Sequence, residues 1–174
     1  MGSAPQSLAI DHTQDAQEAS SSQAGQPRTK GSSTTRVVII SFGGELFTID
    51  LKSVREVFTV ESITPVPGMP AGFVGVTNLR GMIIPLLDLR PMFGLDAGVA
   101  LQYAVVVQHG NWQVGVLVDK VPEIRTLTKD QFLPAPVGTG EGAVPFVSSV
   151  VKMEDRLRGV LETSMMLSYF QGTS

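Results

Sequence analysis

Few side chains in this sequence have the type and spacing that chemistry needs. Asp88 and Arg90 flank Leu89, and Asp88 could be read as a catalytic acid. The plainer reading is that Asp88 caps a helical turn starting at Leu89, because aspartate is a preferred cap. Glu56 and Glu123 could form a carboxylate pair only if the fold brought them together; otherwise each is a solvated strand glutamate or a partner contact. His12 and His109 stand far apart and lack ligand spacing, and His109 before Gly110 reads as a hairpin residue. Ser148-Ser149 has no plausible histidine or aspartate partner, and neither a nucleophile elbow nor a phosphate loop occurs. Trp112 reads as a packing anchor on a strand. The chain has no cysteine, so thiolate chemistry and disulfides are excluded. These residues point to no enzyme, no cofactor and no metal site.

One arginine stands out for a different reason. In the stretch Gly75 to Leu95, a first strand (Phe73 to Thr77) runs into a sharp turn at Asn78 to Gly81. A second strand (Met82 to Leu87) and a short helical turn follow. Gly81 gives the turn backbone freedom that a residue with a Cβ lacks. Asn78 and Arg80 are left at the mouth of a tight hairpin, facing outward, which suits a docking surface.

The other elements must hold that hairpin in place. The chain has 174 residues, 43% of them apolar, with 18 glycines and 11 prolines, enough for one compact domain with many turns or for two small β modules sharing a core. A net charge of −3 gives no basic field for nucleic acid or an anionic membrane. No apolar run approaches bilayer length, and residues 1 to 20 carry no signal core. A cytoplasmic protein without direct membrane insertion is the expectation. Residues 1–35 are rich in Ser, Gln, Ala, Thr and Gly and are expected to be a disordered tail. Loop 134–143, with its glycines and prolines, is expected to be mobile.

Order begins at Arg36. Val37 to Phe42 and Leu46 to Ile49 read as strands about the turn Gly43-Gly44. Leu51 to Ser53 reads as one helical turn, Val54 to Val60 as a strand, and Ile63 to Pro70 as a proline-locked connector. Near Tyr103 the order starts again. Shifted by 67 residues, Val37 falls on Ala104, Gly43-Gly44 on Gly110-Asn111, Glu56 on Glu123 and Pro67 on Pro134. Further on the register slips, with an echo of Leu79-Arg80-Gly81 in Leu157-Arg158-Gly159. This is read as an internal duplication. Pro122 makes Val121 to Leu127 an edge strand, and the repeat makes Val54 to Val60 one also. The fold class is therefore all-β: two five-stranded barrel subdomains, about 36–95 and about 101–165, within a domain spanning 36–170, with a tail at 171–174. Short helical turns and a closing helix, Thr163 to Phe170 with Thr163 or Ser164 as its cap, complete it.

The motifs Asn78-Leu-Arg-Gly81 and Pro85-x-x-Asp88-Leu-Arg90, with Val54-Arg-Glu-Val57, Pro65-Val-Pro67 and Val116-Leu-Val-Asp119, resemble the chemotaxis coupling proteins, the CheW-like family. The likeness runs over roughly residues 36 to 165 and implies two intertwined SH3-like barrels. It implies an adaptor joining chemoreceptor cytoplasmic tips to the regulatory domain of a histidine autokinase at membrane receptor arrays, and contact with further copies of the coupling protein. By position, Asn78, Arg80 and Gly81 would lie at the receptor-binding surface. Gly115, Val121 and Ile124 would line a groove between barrels for the receptor tip; otherwise Gly115 is a packing glycine and the other two are core. Val54 and Glu56 would sit near the kinase contact. Asp50 stands where the family usually has proline, and Val160 to Leu167 lacks the usual acidic, lysine-containing ending. The alternatives are a coupling protein of a related pathway such as type IV pilus twitching, the equivalent domain of the kinase itself, and a small-molecule-binding β-barrel.

Overall fold

The computed structural model describes residues 33–135 and 144–172. The expectations for His12, for residues 1–32, for most of loop 134–143 and for the last two residues lie outside them. Within the described residues, eleven strands and one α-helix follow in order. They are β1 (Thr34–Phe42), β2 (Glu45–Asp50), β3 (Val54–Thr59), β4 (Phe73–Leu79), β5 (Met82–Leu87), β6 (Tyr103–His109), β7 (Trp112–Val118), β8 (Glu123–Thr128), β9 (Phe132–Pro134), β10 (Val147–Met153), β11 (Arg156–Leu161) and α1 (Thr163–Gly172). Single 3-10 turns sit at Leu51–Ser53, Arg90–Phe93 and Lys129–Gln131. At the first of these Asp50, the residue found in place of proline, accepts the Lys52 N–H at 2.9 Å and so starts the turn.

The strands form a six-stranded sheet in the order β8-β1-β2-β11-β10-β9 and a five-stranded sheet in the order β3-β6-β7-β5-β4. This corrects the boundary drawn from sequence. The barrels are not consecutive halves, because β1 and β2 join β8 to β11, while β3 to β5 join β6 and β7. Each repeat lends its first hairpin to the other repeat's sheet. The parallel contacts that seal the exchange are Leu86 with Gly115 and Val160 with Thr48.

The physical reason lies in the apolar runs. Along a strand, side chains alternate between faces. On β1, Val38, Ile40 and Phe42 enter a large core that also holds Leu87, Val105, Val107, Val116, Leu161 and Phe170. Val37 and Ile39 point the other way, into a cluster with Leu127, Val151 and Met153 inside the six-stranded sheet. On β6, Val105 and Val107 face the large core, while Ala104 faces Leu86 and Leu117 inside the five-stranded sheet. Strands apolar on both faces must be covered on both, and lying between the sheets covers them. Phe42 stacks on Phe47 at 4.4 Å between ring centroids, and Phe93 packs on Phe47 at 4.7 Å.

The duplication is visible in the bonding. The last hairpin of the first repeat, β4–β5, maps onto β10–β11 with a shift of 74 residues, Phe73 to Val147 and Leu87 to Leu161. Asp88 N–H donates to Gly72 O at 2.8 Å, and Glu162 N–H donates to Phe146 O at 2.8 Å, the same bond in each repeat. The supposed echo at Leu157-Arg158-Gly159 is therefore corrected. Those residues lie within β11, and the counterpart of Arg80-Gly81 is Glu154-Asp155. The helix cap is corrected as well. Thr163 Oγ1 is buried without a hydrogen-bond partner, Ser164 Oγ donates to Glu162, and Glu162 O accepts from Met166 N–H.

Candidate functional site

The β4–β5 turn is the best-defined outward feature. Its two loop residues, Arg80 and Gly81, both have positive φ, 51° and 86°, as the turn that matches strand twist requires. A Cβ at Gly81 would meet open space, so glycine serves there for its backbone alone. Asn78 Oδ1 accepts the Gly81 N–H at 2.8 Å and braces the turn. Arg80 Nη2 lies 2.6 Å from both carboxylate oxygens of Glu56 on β3. Strands β3 and β4 are the two edges of the five-stranded sheet, so this ion pair spans its seam. The Arg80 side chain remains 70% exposed. An ion pair that open to water contributes little stability, so its chief effect is to fix where the guanidinium stands.

Behind the turn, Thr77 Oγ1 donates to Ser62 O at 2.8 Å, and Thr64 exchanges backbone bonds with Val76 at 2.8 and 2.9 Å. Gly75 makes that second contact possible, since a Cβ there would lie 2.4 Å from Thr64 O. The proline-locked connector is thereby held against β4. The turn and connector share a recess lined by Phe58, Thr59, Ser62, Asn78, Leu79 and Arg80.

The remaining expected residues scatter. Val121 and Ile124, which could have been core, are 66% and 55% exposed, beside and on β8 of the six-stranded sheet. Val121 precedes β8 rather than starting it, because Pro122 cannot donate to a ladder. Gly115 is corrected: it is buried in β7, where a Cβ would meet Leu86 Cδ2 at 2.8 Å and Ala104 Cβ at 3.4 Å, so it is a packing glycine that presents no surface. Val54 is half-buried against the large core. Glu56 and Glu123 make no carboxylate pair; they lie on different sheets, and each meets an arginine, Arg80 and Arg125. Arg80 and Glu56, assigned to separate partners by resemblance, stand together as one surface. Trp112 is no core anchor. It is 61% exposed and borders an apolar groove with Pro85, Val114, Leu167 and Phe170.

Sequence reasoning named Arg90 beside Asp88 but did not foresee its burial. Arg90 is only 8% exposed, and its Nε and Nη2 donate to Asp88 at 3.1 and 2.9 Å while Nη1 donates to Val99 O at 2.7 Å. Asp88 also accepts the Arg90 backbone N–H at 3.0 Å, the capping role expected of it one residue later. The Asp88 bond, with the charges of Asp88 and Asp119, raises the Arg90 pKa above the ordinary arginine range against the effect of burial. The spacing Asp88-x-Arg90 was the available signal; burial was not. Among the described residues, no group of three or more His, Cys, Asp or Glu side chains could hold a metal ion, and no helix is long and apolar enough to cross a membrane.

A family model described as the CheW-like domain matches residues 36–171. The chain is 31% identical over 134 residues to chemotaxis protein CheW of Klebsiella aerogenes, covering 75% of this chain and 80% of that protein. It is 32% identical over 103 residues to protein FrzA of Myxococcus xanthus, covering 58% of this chain and 64% of the relative. Among solved structures, the scaffolding protein TtCheW from Thermoanaerobacter tengcongensis superposes with a TM-score of 0.66 at 29% identity, covering 75% of this chain and 90% of the other.

Proposed function

The chain belongs to the CheW-like family, and on that footing we propose that it is a non-enzymatic cytoplasmic adaptor coupling chemoreceptor tips to a histidine autokinase. The observation that carries this reading is the braced turn, in which an exposed Arg80 is fixed by Glu56 and Asn78 at the positions of the family motif. A receptor tip is a helical hairpin; the fixed guanidinium on the five-stranded sheet offers it a polar anchor, and exposed Val121 and Ile124 at β8 of the six-stranded sheet offer separate apolar contacts. Val54 and Glu56 on edge strand β3 would meet the kinase's regulatory domain, itself a barrel of the same kind. Because Glu56 holds Arg80, the two contacts are neighbours and each partner would sense the other's presence. Holding kinase and receptor on one small body raises their effective concentration and fixes their register.

The test is reconstitution of kinase activation with receptor fragments. Arg80→Ala is expected to weaken receptor-dependent activation about tenfold, as loss of an interface arginine does, with the unfolding midpoint nearly unchanged. Activation and pull-down equal to the parent protein would remove Arg80 from the site. A second reading, service in a related pathway such as pilus-driven twitching, has one ground: a relative of similar identity carries a different name, protein FrzA. Binding to receptor fragments of one pathway and not the other decides between them.

A further inference from the structure

The two repeats close their barrels with opposite charge patterns. In the five-stranded sheet, edge-strand Glu56 meets turn Arg80 directly. In the six-stranded sheet the residue matching Glu56 is Glu123, but the matching turn offers Glu154. Two glutamates cannot close a seam, and Arg125 stands between them. Its Nη2 donates to Glu123, and its Nη1 lies 3.6 Å from Glu154 Oε1 and 4.0 Å from Met153 Sδ. The same recess is lined by Val121, Glu123, Arg125 and Glu154 over a floor of Ile39 and Leu46.

We propose that Arg125 is a positioning residue for partner binding: it clamps edge strand β8 to the acidic turn and so holds exposed Val121 and Ile124 in their binding arrangement. The proposal rests on the reading that Val121 and Ile124 meet the receptor tip. Among the described residues only β1 pairs with β8 along the sheet, so the other side of β8 is met there by side chains. A clamp 38% exposed at Arg125 and 70% at Glu154 does little for global stability but can fix a local edge.

The test measures binding of the full chain to a soluble helical-hairpin fragment of a chemoreceptor tip, alongside thermal unfolding and amide exchange in β8. Arg125→Ala is expected to weaken binding about fivefold, the effect of roughly one surface ion pair, and to speed exchange in β8 at an unchanged unfolding midpoint. Arg125→Ala combined with Glu154→Arg rebuilds the direct pair of the other barrel and is expected to restore both readouts. Ile124→Glu tests the underlying reading. If it binds like the parent, that reading falls and takes the proposal with it. If Ile124→Glu loses binding while Arg125→Ala keeps it, only the clamp is overturned. Failure of the double variant to recover also overturns it, since Arg125 would then touch the partner itself. A midpoint that falls in step with binding assigns Arg125 to stability and overturns it equally.

Discussion

The β4–β5 and β10–β11 hairpins are the same device made twice. Each ends in a two-residue turn with both φ positive, 51° and 86° at Arg80-Gly81, 52° and 62° at Glu154-Asp155. Each stands over the edge strand of its own sheet, and each hands on to a helical turn through the same backbone bond. Backbone geometry survived duplication because sheet closure demands it. Side-chain charge did not, because water screens it at the rim. The outcome is one plan with two faces, a cationic turn on one barrel and an anionic turn on the other.

The contrast is greatest just after the hairpins. Position 90 in the first repeat matches position 164 in the second. There Arg90 is buried in three side-chain bonds, while Ser164 makes one exposed bond to Glu162. Arg90→Ala strips Asp88 of its side-chain partner, leaving it only the backbone N–H of residue 90, and leaves the Val99 carbonyl without the guanidinium. It should cost about 3 kcal/mol in denaturant unfolding, as breaking a buried pair does, while Ser164→Ala should change little. The pH profile follows from the sign of the shift. A raised pKa means the contribution is complete below the unfolded-state value and lost only as pH rises through the folded one. The deficit should therefore stay flat across the neutral and mildly alkaline range. Equal losses at positions 90 and 164 would end the idea that the repeats diverged here.

The strands up to β8, the edge positions of β3 and β8 and the duplication were legible because apolar alternation and Pro122 act locally, whereas β9 to β11 were not read and part of β11 was taken for a turn. The exchange of hairpins was not legible. The run Val37-Val-Ile-Ile40 signals a strand covered on both faces but carries no mark of which distant strands cover it. Arg80 and Asn78 were legible because a tight turn must present its polar residues outward. Arg125 was not, since its need arises from Glu154 some thirty residues on, at a register that changes from 67 to 74. Trp112 misled for a related reason. A large aromatic at a strand's start packs only if something lies above it, and there the groove beside α1 is open.

Inside the barrels the comparison sharpens at one pair of positions. Gly115 in the five-stranded sheet matches Thr48 in the six-stranded one, and both are buried. The smaller interior, with Leu86, Ala104 and Leu117, leaves no room for a Cβ at 115. Gly115→Thr should cost about 2 kcal/mol by overpacking. Thr48→Val should be neutral or slightly stabilising, because Thr48 Oγ1 is buried without a hydrogen-bond partner and its removal leaves nothing unpaired. Denaturant midpoints for the two variants measure both effects. A tolerated threonine at 115 would mean that the two interiors are alike in size.

The smallest effects lie in the turns themselves. Gly81 meets open space, so Gly81→Ala adds no clash and tests only the backbone, whose positive φ an alanine resists. It should cost about 1 kcal/mol. Asp155 holds the matching conformation without glycine's freedom, and Asp155→Gly relieves that while loosening the unfolded chain. The two opposing terms should leave a change within about 0.5 kcal/mol, and in the receptor-binding assay Asp155→Gly should keep parental affinity because Arg125 and Glu154 are intact. Gly81→Ala should weaken receptor binding by more than its stability loss, since a distorted turn moves Arg80 off Glu56. If binding instead follows stability alone in both variants, the position of Arg80 does not matter to the partner, and the difference between the two turns is one of charge without consequence for docking.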